Sequence, residues 1–337
     1  MTIPVEMSVV VPTYNRSSSL LECLASIERQ SLAGTRFEVI VVDDGSDDGT
    51  KESVERFRVT SSLALRYFFQ PNSGPGAARN LGVENARGAI IAFTEDDVVV
   101  DERWLELALS HFLQPEVSGV EGATLLKNSG EAVRVFEGGS HLSFIPCNLF
   151  LRKHVFQSVG AYDTEYFDPT TNLYFREDAD LGFRLLEHGA VIVRDDHVIV
   201  HHPKLYNSPS DYLRHVRRFY FDPLLYRKHP KSFRKYLEVK NLGPITIRRP
   251  YHYLSLFYVF FFLLILLSVT SGSGIPLVPC VIFWLAIFIS LGYRYHRSWV
   301  PPFRQPGAIL VLLMLPVHYL TWYIRGCRRF KSWGSMM

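Results

Sequence analysis

Residues 89–93 form an unbroken apolar run that ends in Thr94-Glu95-Asp96-Asp97. Continuous rather than alternating hydrophobicity predicts a strand buried on both faces, the kind found in a parallel sheet covered by helices. Three adjacent acids at its end repel one another and raise each other's pKa, so they add nothing as scaffold. A hard divalent cation removes that repulsion, and carboxylate oxygens together with a substrate diphosphate suit Mg²⁺ or Mn²⁺. The plainer alternative is an acidic loop that only solvates the strand end. Position argues against it, because ligands of open α/β sheets bind beyond the carboxyl ends of the strands.

Other stretches repeat the pattern. Residues 8–11 predict a first strand, stopped by Pro12 and followed by the turn Pro12-Thr13-Tyr14-Asn15-Arg16. A helix follows, with Ser19-x-x-Glu22 in capping-box form and Leu20, Leu21, Leu24 and Ile27 on one face. Residues 37–42 predict a second strand running into Asp43-Asp44-Gly45-Ser46, and 65–69 a third running into Asn72-Ser73-Gly74-Pro75-Gly76-Ala77-Ala78-Arg79-Asn80. Strand and helix alternating at these intervals mean an α/β protein with a mostly parallel, doubly wound sheet and right-handed crossovers. Four polar clusters then share one sheet edge, which defines a candidate site. Residues 117–126, 142–150 and 191–194 read as further strands. Residues 176–186 read as a helix whose first turn carries Glu177, Asp178 and Asp180. Acids there favour the positive helix N-terminus, or one of them is a general base facing the metal site. The pair His201-His202 is a surface feature or a source of a metal ligand.

The 337-residue chain has a net charge of +3, and that balance hides an asymmetry. Residues 203–250 hold twelve Lys/Arg against three acids, so the remainder is net acidic. There Tyr212, Leu213, Val216, Phe219 and Tyr220 interleave with Arg214, Arg217 and Arg218, which predicts an amphipathic helix on a bilayer surface. Anionic headgroups would attract it by about 1 kcal/mol per basic residue, and Arg217 or Arg218 could reach a phosphate. A solvated basic face is the plainer reading. Four cysteines without CxxC spacing predict free thiols in a reducing compartment. Residues 1–6 lack the charged and apolar regions of a signal peptide.

Beyond Pro250 the composition turns apolar. Residues 253–273 and 274–293 are each long enough to span a bilayer, and 307–324 forms a third span or a re-entrant or interfacial helix bent at Pro316. Tyr251, Tyr253, Tyr293, Trp299 and Trp322 suit the interfaces. The clusters Arg248/Arg249, Arg294/Arg297/Arg304 and Arg325/Arg328/Arg329/Lys331 prefer the cytoplasmic side. The division expected is 1–205 for the α/β domain, 206–250 for the basic juxtamembrane segment and 251–337 for the membrane region.

The motifs Val9-Val10-Val11-Pro12-Thr13-Tyr14-Asn15-Arg16, Val41-Val42-Asp43-Asp44-Gly45-Ser46, Gly74-Pro75-Gly76-Ala77-Ala78-Arg79-Asn80, Phe93-Thr94-Glu95-Asp96-Asp97 and Glu177-Asp178-x-Asp180-Leu181, with the trailing His201, resemble the family 2 glycosyltransferases of the GT-A fold. The resemblance covers residues 7–205 and is to membrane-anchored sugar transferases of bacterial type, with a Rossmann-like nucleotide-binding half. It implies that Pro12, Tyr14, Arg16, Asp44 and Arg79 line the pocket of a nucleotide-sugar donor, UDP- or GDP-type. Asp97 and His201 would then hold the metal, and Asp96 or Glu95 the ribose. Asp178 matches the family's catalytic base, with Glu177 beside it. The family's first metal-motif acid is replaced by Glu95. Family chemistry implies inverting transfer of a sugar, dependent on Mg²⁺ or Mn²⁺. The Gln-x-x-Arg-Trp motif of its processive synthases is not matched by Arg214-His215-Val216-Arg217-Arg218, which implies transfer of one sugar. A membrane-anchored site implies a lipid-linked, polyprenyl acceptor in cell-surface glycan synthesis, at the inner membrane as a multi-pass protein with its catalytic domain facing the cytoplasm. No nucleic-acid partner is expected, and a homo-oligomer is compatible with the sequence. The rival readings are a nucleotidyltransferase and a non-catalytic membrane-anchored binder of nucleotide sugars.

Overall fold

The computed structural model describes residues 5–127, 144–203, 209–237, 239–242, 245–272, 276–297 and 307–336. The amino-terminal residues read above for a signal peptide lie partly outside these. So do Lys204, Trp299, Arg304 and the start of the strand expected at 142–150. The described residues up to 203 form one compact unit and those from 209 a second.

In the first unit the elements are β1 Met7–Thr13, α1 Ser17–Glu28, β2 Phe37–Asp43, α2 Thr50–Thr60, β3 Leu65–Phe69, α3 Pro75–Glu84, β4 Ile90–Phe93, β5 Val99–Val100, α4 Trp104–His111, β6 Val117–Leu126, β7 Leu149–Arg152, α5 Lys153–Ser158, β8 Phe167–Asp168, β9 Leu173–Tyr174, α6 Glu177–Glu187 and β10 Val191–His202. The main sheet has the order β3-β2-β1-β4-β7-β6-β10-β5. Strands β1 to β4 are mutually parallel, and β7 runs antiparallel to both β4 and β6. Strand β6 therefore points the same way as β4, and β10 pairs parallel with β6. The carboxyl ends of β1, β2, β4 and β10 consequently share one edge. Val9, Val11, Val39, Val41 and Ala92 are buried against α1 on one face; Val10, Ile40, Val42, Ile91 and Phe93 are buried against α3 and α6 on the other. That two-sided burial explains the continuous apolar runs.

Three expectations are corrected here. Strand β1 continues through Pro12 to Thr13: Pro12 pairs with Val42 alone and lies past the end of β4, which stops opposite Val10, so its missing N–H breaks no ladder. Helix α1 begins at Ser17, whose N–H donates to Asp48, so Ser19 is inside the helix and no capping box forms. The strand expected at 142–150 is in its described part a 3₁₀ turn, Pro146–Asn148, followed by β7.

The second unit contains α7 Pro209–Val216, a 3₁₀ turn Arg217–Phe221, α8 Asp222–Lys228, α9 Pro230–Tyr236, the hairpin β11 Val239–Leu242 and β12 Ile245–Arg248, and three long helices, α10 Pro250–Ser271, α11 Leu277–Arg297 and α12 Ala308–Phe330. The amphipathic segment does not leave its apolar face free for lipid. Tyr212 and Val216 are buried with Leu312, Leu315, Tyr319, Leu320, Tyr323 and Cys327 of α12, so α7 packs onto α12. Among the described residues, His252–Ser271 and Ile309–Phe330 are long and apolar enough to cross a membrane, and Leu277–Leu291 of α11 is apolar over a shorter length. Helix α12 runs through Pro316 without interruption.

Candidate functional site

Strand β4 delivers Glu95, Asp96 and Asp97 to the shared sheet edge, and β10 delivers His202 beside them. The ligand atoms of Glu95, Asp97 and His202 lie within 4.8 Å of one another. His202 Nε2 is 3.4 Å from Glu95 Oε2 and 3.7 Å from Asp97 Oδ1. Its other ring nitrogen, Nδ1, is 2.7 Å from the Pro203 carbonyl. A proton on Nδ1 satisfies that carbonyl and leaves Nε2 as the atom presented to the acids, the arrangement that orients metal-ligating histidines. Asp97 Oδ1 is buried and has no hydrogen-bond partner. Two carboxylates, one of them with an orphaned buried oxygen, and an imidazole fit a divalent cation of the Mg²⁺ or Mn²⁺ kind.

His201, the histidine expected there, is elsewhere: its Nε2 is 3.2 Å from Asp101 Oδ1. Val198, Val200 and His202 alternate onto one face of β10 and leave His201 on the other. Ile199, apolar between two valines, hid that alternation in the sequence.

The remaining acids are held by the chain itself. Asp96 is 4% exposed; it accepts from the Thr13 hydroxyl at 2.8 Å and from Arg16 at 3.1 Å, and burial pushes its pKa up to about 6. Arg16 also bonds Asp97 at 2.8 Å, so its guanidinium bridges two acids of the trio. Burial raises Asp97, and the neighbouring Glu95 charge adds to the shift. Burial works against ionisation of Glu95 as well, but the His202 bond and Arg79 outweigh it and bring the carboxyl down to about 2. His202 is the counterpart: burial opposes its charge, yet Glu95 and Asp97 hold it up at about 9.

Two residues expected in the nucleotide pocket have structural duties. Asp44 is buried and accepts from Gln70 Nε2, Ser73 N and Gly74 N, closing the loop that opens α3. Arg79, at 2% exposure, lies 3.3 Å from Glu95 and 3.6 Å from Glu177, with its guanidinium over the Tyr162 ring. It ties Glu95 to the start of α6, and Glu177 is therefore an ion-pair partner. Pro12 is buried, whereas Tyr14 and Arg16 are exposed at the rim. Sequence reasoning also passed over Thr13, which stands within the first family motif but received no role there, and Tyr162, which carries no motif signal.

Helix α6 presents Asp178 half-buried in its first turn, between Glu177 and Asp180. Asp180 is structural, bonded by the Tyr166 hydroxyl and Arg184. Burial raises the pKa of Asp178 despite Arg176 and its own Ala179 N–H, and the Glu95 charge adds to the rise. A partly accessible carboxylate made more basic is suited to accept a proton. Arg176 precedes it at φ 76°, a left-handed conformation that non-glycine residues adopt at a cost. A shallow depression beside Glu177 is walled by Gly76, Ala77, Tyr166, Phe167 and Tyr174.

Fold and edge define a GT-A type α/β protein, and the comparisons specify its family. The model of glycosyl transferase family 2 matches residues 8–180, and the chain belongs to that family. Glycosyltransferase AglE of Haloferax volcanii is 29% identical over 191 residues, covering 53% of this chain and 63% of that protein. Poly(ribitol-phosphate) beta-N-acetylglucosaminyltransferase TarS of Staphylococcus aureus is 36% identical over 101 residues, covering 30% and 18%. The chain thus spans less than two thirds of the length of these relatives. Among solved structures, the mannosyltransferase PcManGT of Pyrobaculum calidifontis, in complex with GDP-Man and Mn²⁺, superposes with a TM-score of 0.54 at 17% identity, over 99% of this chain and 88% of that one. S. aureus TarS superposes at 0.52 with 18% identity, over 96% and 55%. At these identities the structural likeness concerns the fold.

Proposed function

We propose that this chain transfers one sugar from a nucleoside diphosphate sugar to an acceptor hydroxyl, with inversion at the anomeric carbon. The observation that carries the reading is the convergence at one sheet edge of the orphaned Asp97 oxygen, Glu95 and His202 with the base-like Asp178. Glu95, Asp97 and His202 would hold a divalent cation, which when bound would offset charge on the departing diphosphate. Tyr14 and Arg16 at the rim contact the nucleotide, as the family's motif implies. Asp178 takes the proton of the attacking hydroxyl at its free carboxylate oxygen, while Arg79 fixes the distance between the base's helix and the metal acids. Retention of both the base and the metal acids favours a catalyst over a binder of nucleotide sugars, and membership of the family disfavours a nucleotidyltransferase. The acceptor is lipid-linked: α10 exposes Phe257, Phe260, Phe262, Leu263, Leu266 and Leu267, an apolar surface suited to acyl chains rather than water.

Incubating the detergent-purified full chain with UDP- and GDP-sugars, Mn²⁺ and a lipid extract, and measuring release of nucleoside diphosphate, tests this. Release that needs lipid and Asp178 is expected. Equal release by Asp178→Asn would remove the assigned base.

A further inference from the structure

We infer that the second unit holds a binding site for a phosphoryl group, built around Trp322. Helix α12 places His318, Trp322 and Arg325 at i, i+4 and i+7, on one face. The Arg325 guanidinium lies 4.7 Å from the centre of the Trp322 ring, and that of Arg217, from the 3₁₀ turn after α7, lies 4.9 Å from it. The ring of His318 is 6.3 Å from the same indole. Gly326 permits the arrangement. A Cβ there would sit 2.1 Å from the Tyr220 carbonyl oxygen, so only glycine lets the turn press its backbone onto α12 and carry Arg217 over the ring.

Two like charges stacked on one ring lie within about a Debye length of each other, which repels them unless an anion intervenes. Among the described residues no carboxylate pairs with Arg217 or Arg325. Arg217 Nε is buried without an acceptor, while Arg325 remains exposed and able to close on a ligand. Attraction to the indole holds each guanidinium but leaves its N–H donors unused. Paired guanidiniums with free donors match the oxygens of a phosphoryl group. Trp322 and the arginines that follow lie at the end of a helix apolar enough to cross a membrane, the level at which lipid phosphates sit. The proposal is independent of sugar transfer and uses no residue of the first unit.

The test is thermal unfolding and intrinsic Trp fluorescence of the detergent-purified full chain, titrated with short-chain phosphatidate, short-chain phosphatidylcholine and inorganic phosphate. Saturable stabilisation by phosphatidate is expected, at far lower concentration than by phosphatidylcholine. Arg217→Gln with Arg325→Gln should weaken it by about a hundredfold, about tenfold per charge-assisted contact. Arg217→Lys with Arg325→Lys, which keeps the charge and guards against misfolding of the first variant, should retain stabilisation at reduced affinity. Inorganic phosphate acting only at much higher concentration assigns the site to a lipid; phosphate acting equally well assigns it to a soluble anion. Phosphatidate binding unchanged in both variants, or no stabilisation by either phosphoryl compound, overturns the site.

Discussion

Asp178 is under opposing influences, and for the proposed transfer their sum would set the pH dependence. Burial and Glu95 raise its pKa above 3.8, against Arg176. A base works ionised, so kcat should climb about tenfold per pH unit below that raised pKa and level off above it. Asp178→Asn should lower kcat by about 10²–10⁴-fold with donor affinity retained. His202 sets the pH dependence of the metal. Its stabilising charge is fully present below 6.5 and is lost as pH rises through about 9. Glu95 is the reverse case, contributing above 4.5 and failing as pH falls through about 2. Without metal, this pair therefore supports the fold most between about pH 4.5 and 6.5. A cation must displace the His202 proton, so Mn²⁺ affinity should rise with pH up to about 9, with close to one proton released at pH 7.5. Calorimetry in buffers of different ionisation enthalpy reads that proton. His202→Gln should remove it and weaken Mn²⁺ by more than about tenfold, whereas His201→Gln should change neither.

At the scale of elements, the loops are what the strands hold in place. Asp44 closes the loop between β3 and α3 through three bonds. Asp44→Ala should therefore destabilise the ligand-free protein by about 1–3 kcal/mol in denaturant unfolding. Asp44→Asn, which still accepts through one oxygen, should cost less. A purely nucleotide-binding Asp44 would leave unfolding unchanged. The sequence made β1, β2 and β4 legible because two-sided burial writes itself as apolar runs rich in Val and Ile, and it made the site edge legible because the polar clusters follow those runs. It could not show that Arg79 turns inward, since whether an arginine meets solvent or two acids depends on α6, a hundred residues away. His202 was hidden for a local reason: Val198, Ile199 and Val200 present no polar contrast from which to read a period of two. The reach of α12 through Pro316 was equally illegible, because its support comes from packing against Tyr212 and Val216.

For the whole molecule, the two units make separable predictions. Each face of the main sheet has its own buried cluster, drawn from residues up to 200. A chain ending at residue 203 should thus fold, stay in solution without detergent and keep Mn²⁺ binding. The full chain, with two helices of spanning length, should sediment with membranes after an alkaline carbonate wash. Recovery of the full chain in the soluble fraction would contradict the lipid role of those helices. The central claim is that Glu95, Asp97 and His202 hold the cation through which a nucleotide sugar is bound. Its most direct test is thermal unfolding of the full chain with a panel of UDP- and GDP-sugars, with and without Mn²⁺, in the native sequence and in Asp97→Ala. A donor at a hundred times its Kd should stabilise by about 2.7 kcal/mol, only when Mn²⁺ is present and only with Asp97 intact. Equal stabilisation without metal, or in Asp97→Ala, would contradict the account.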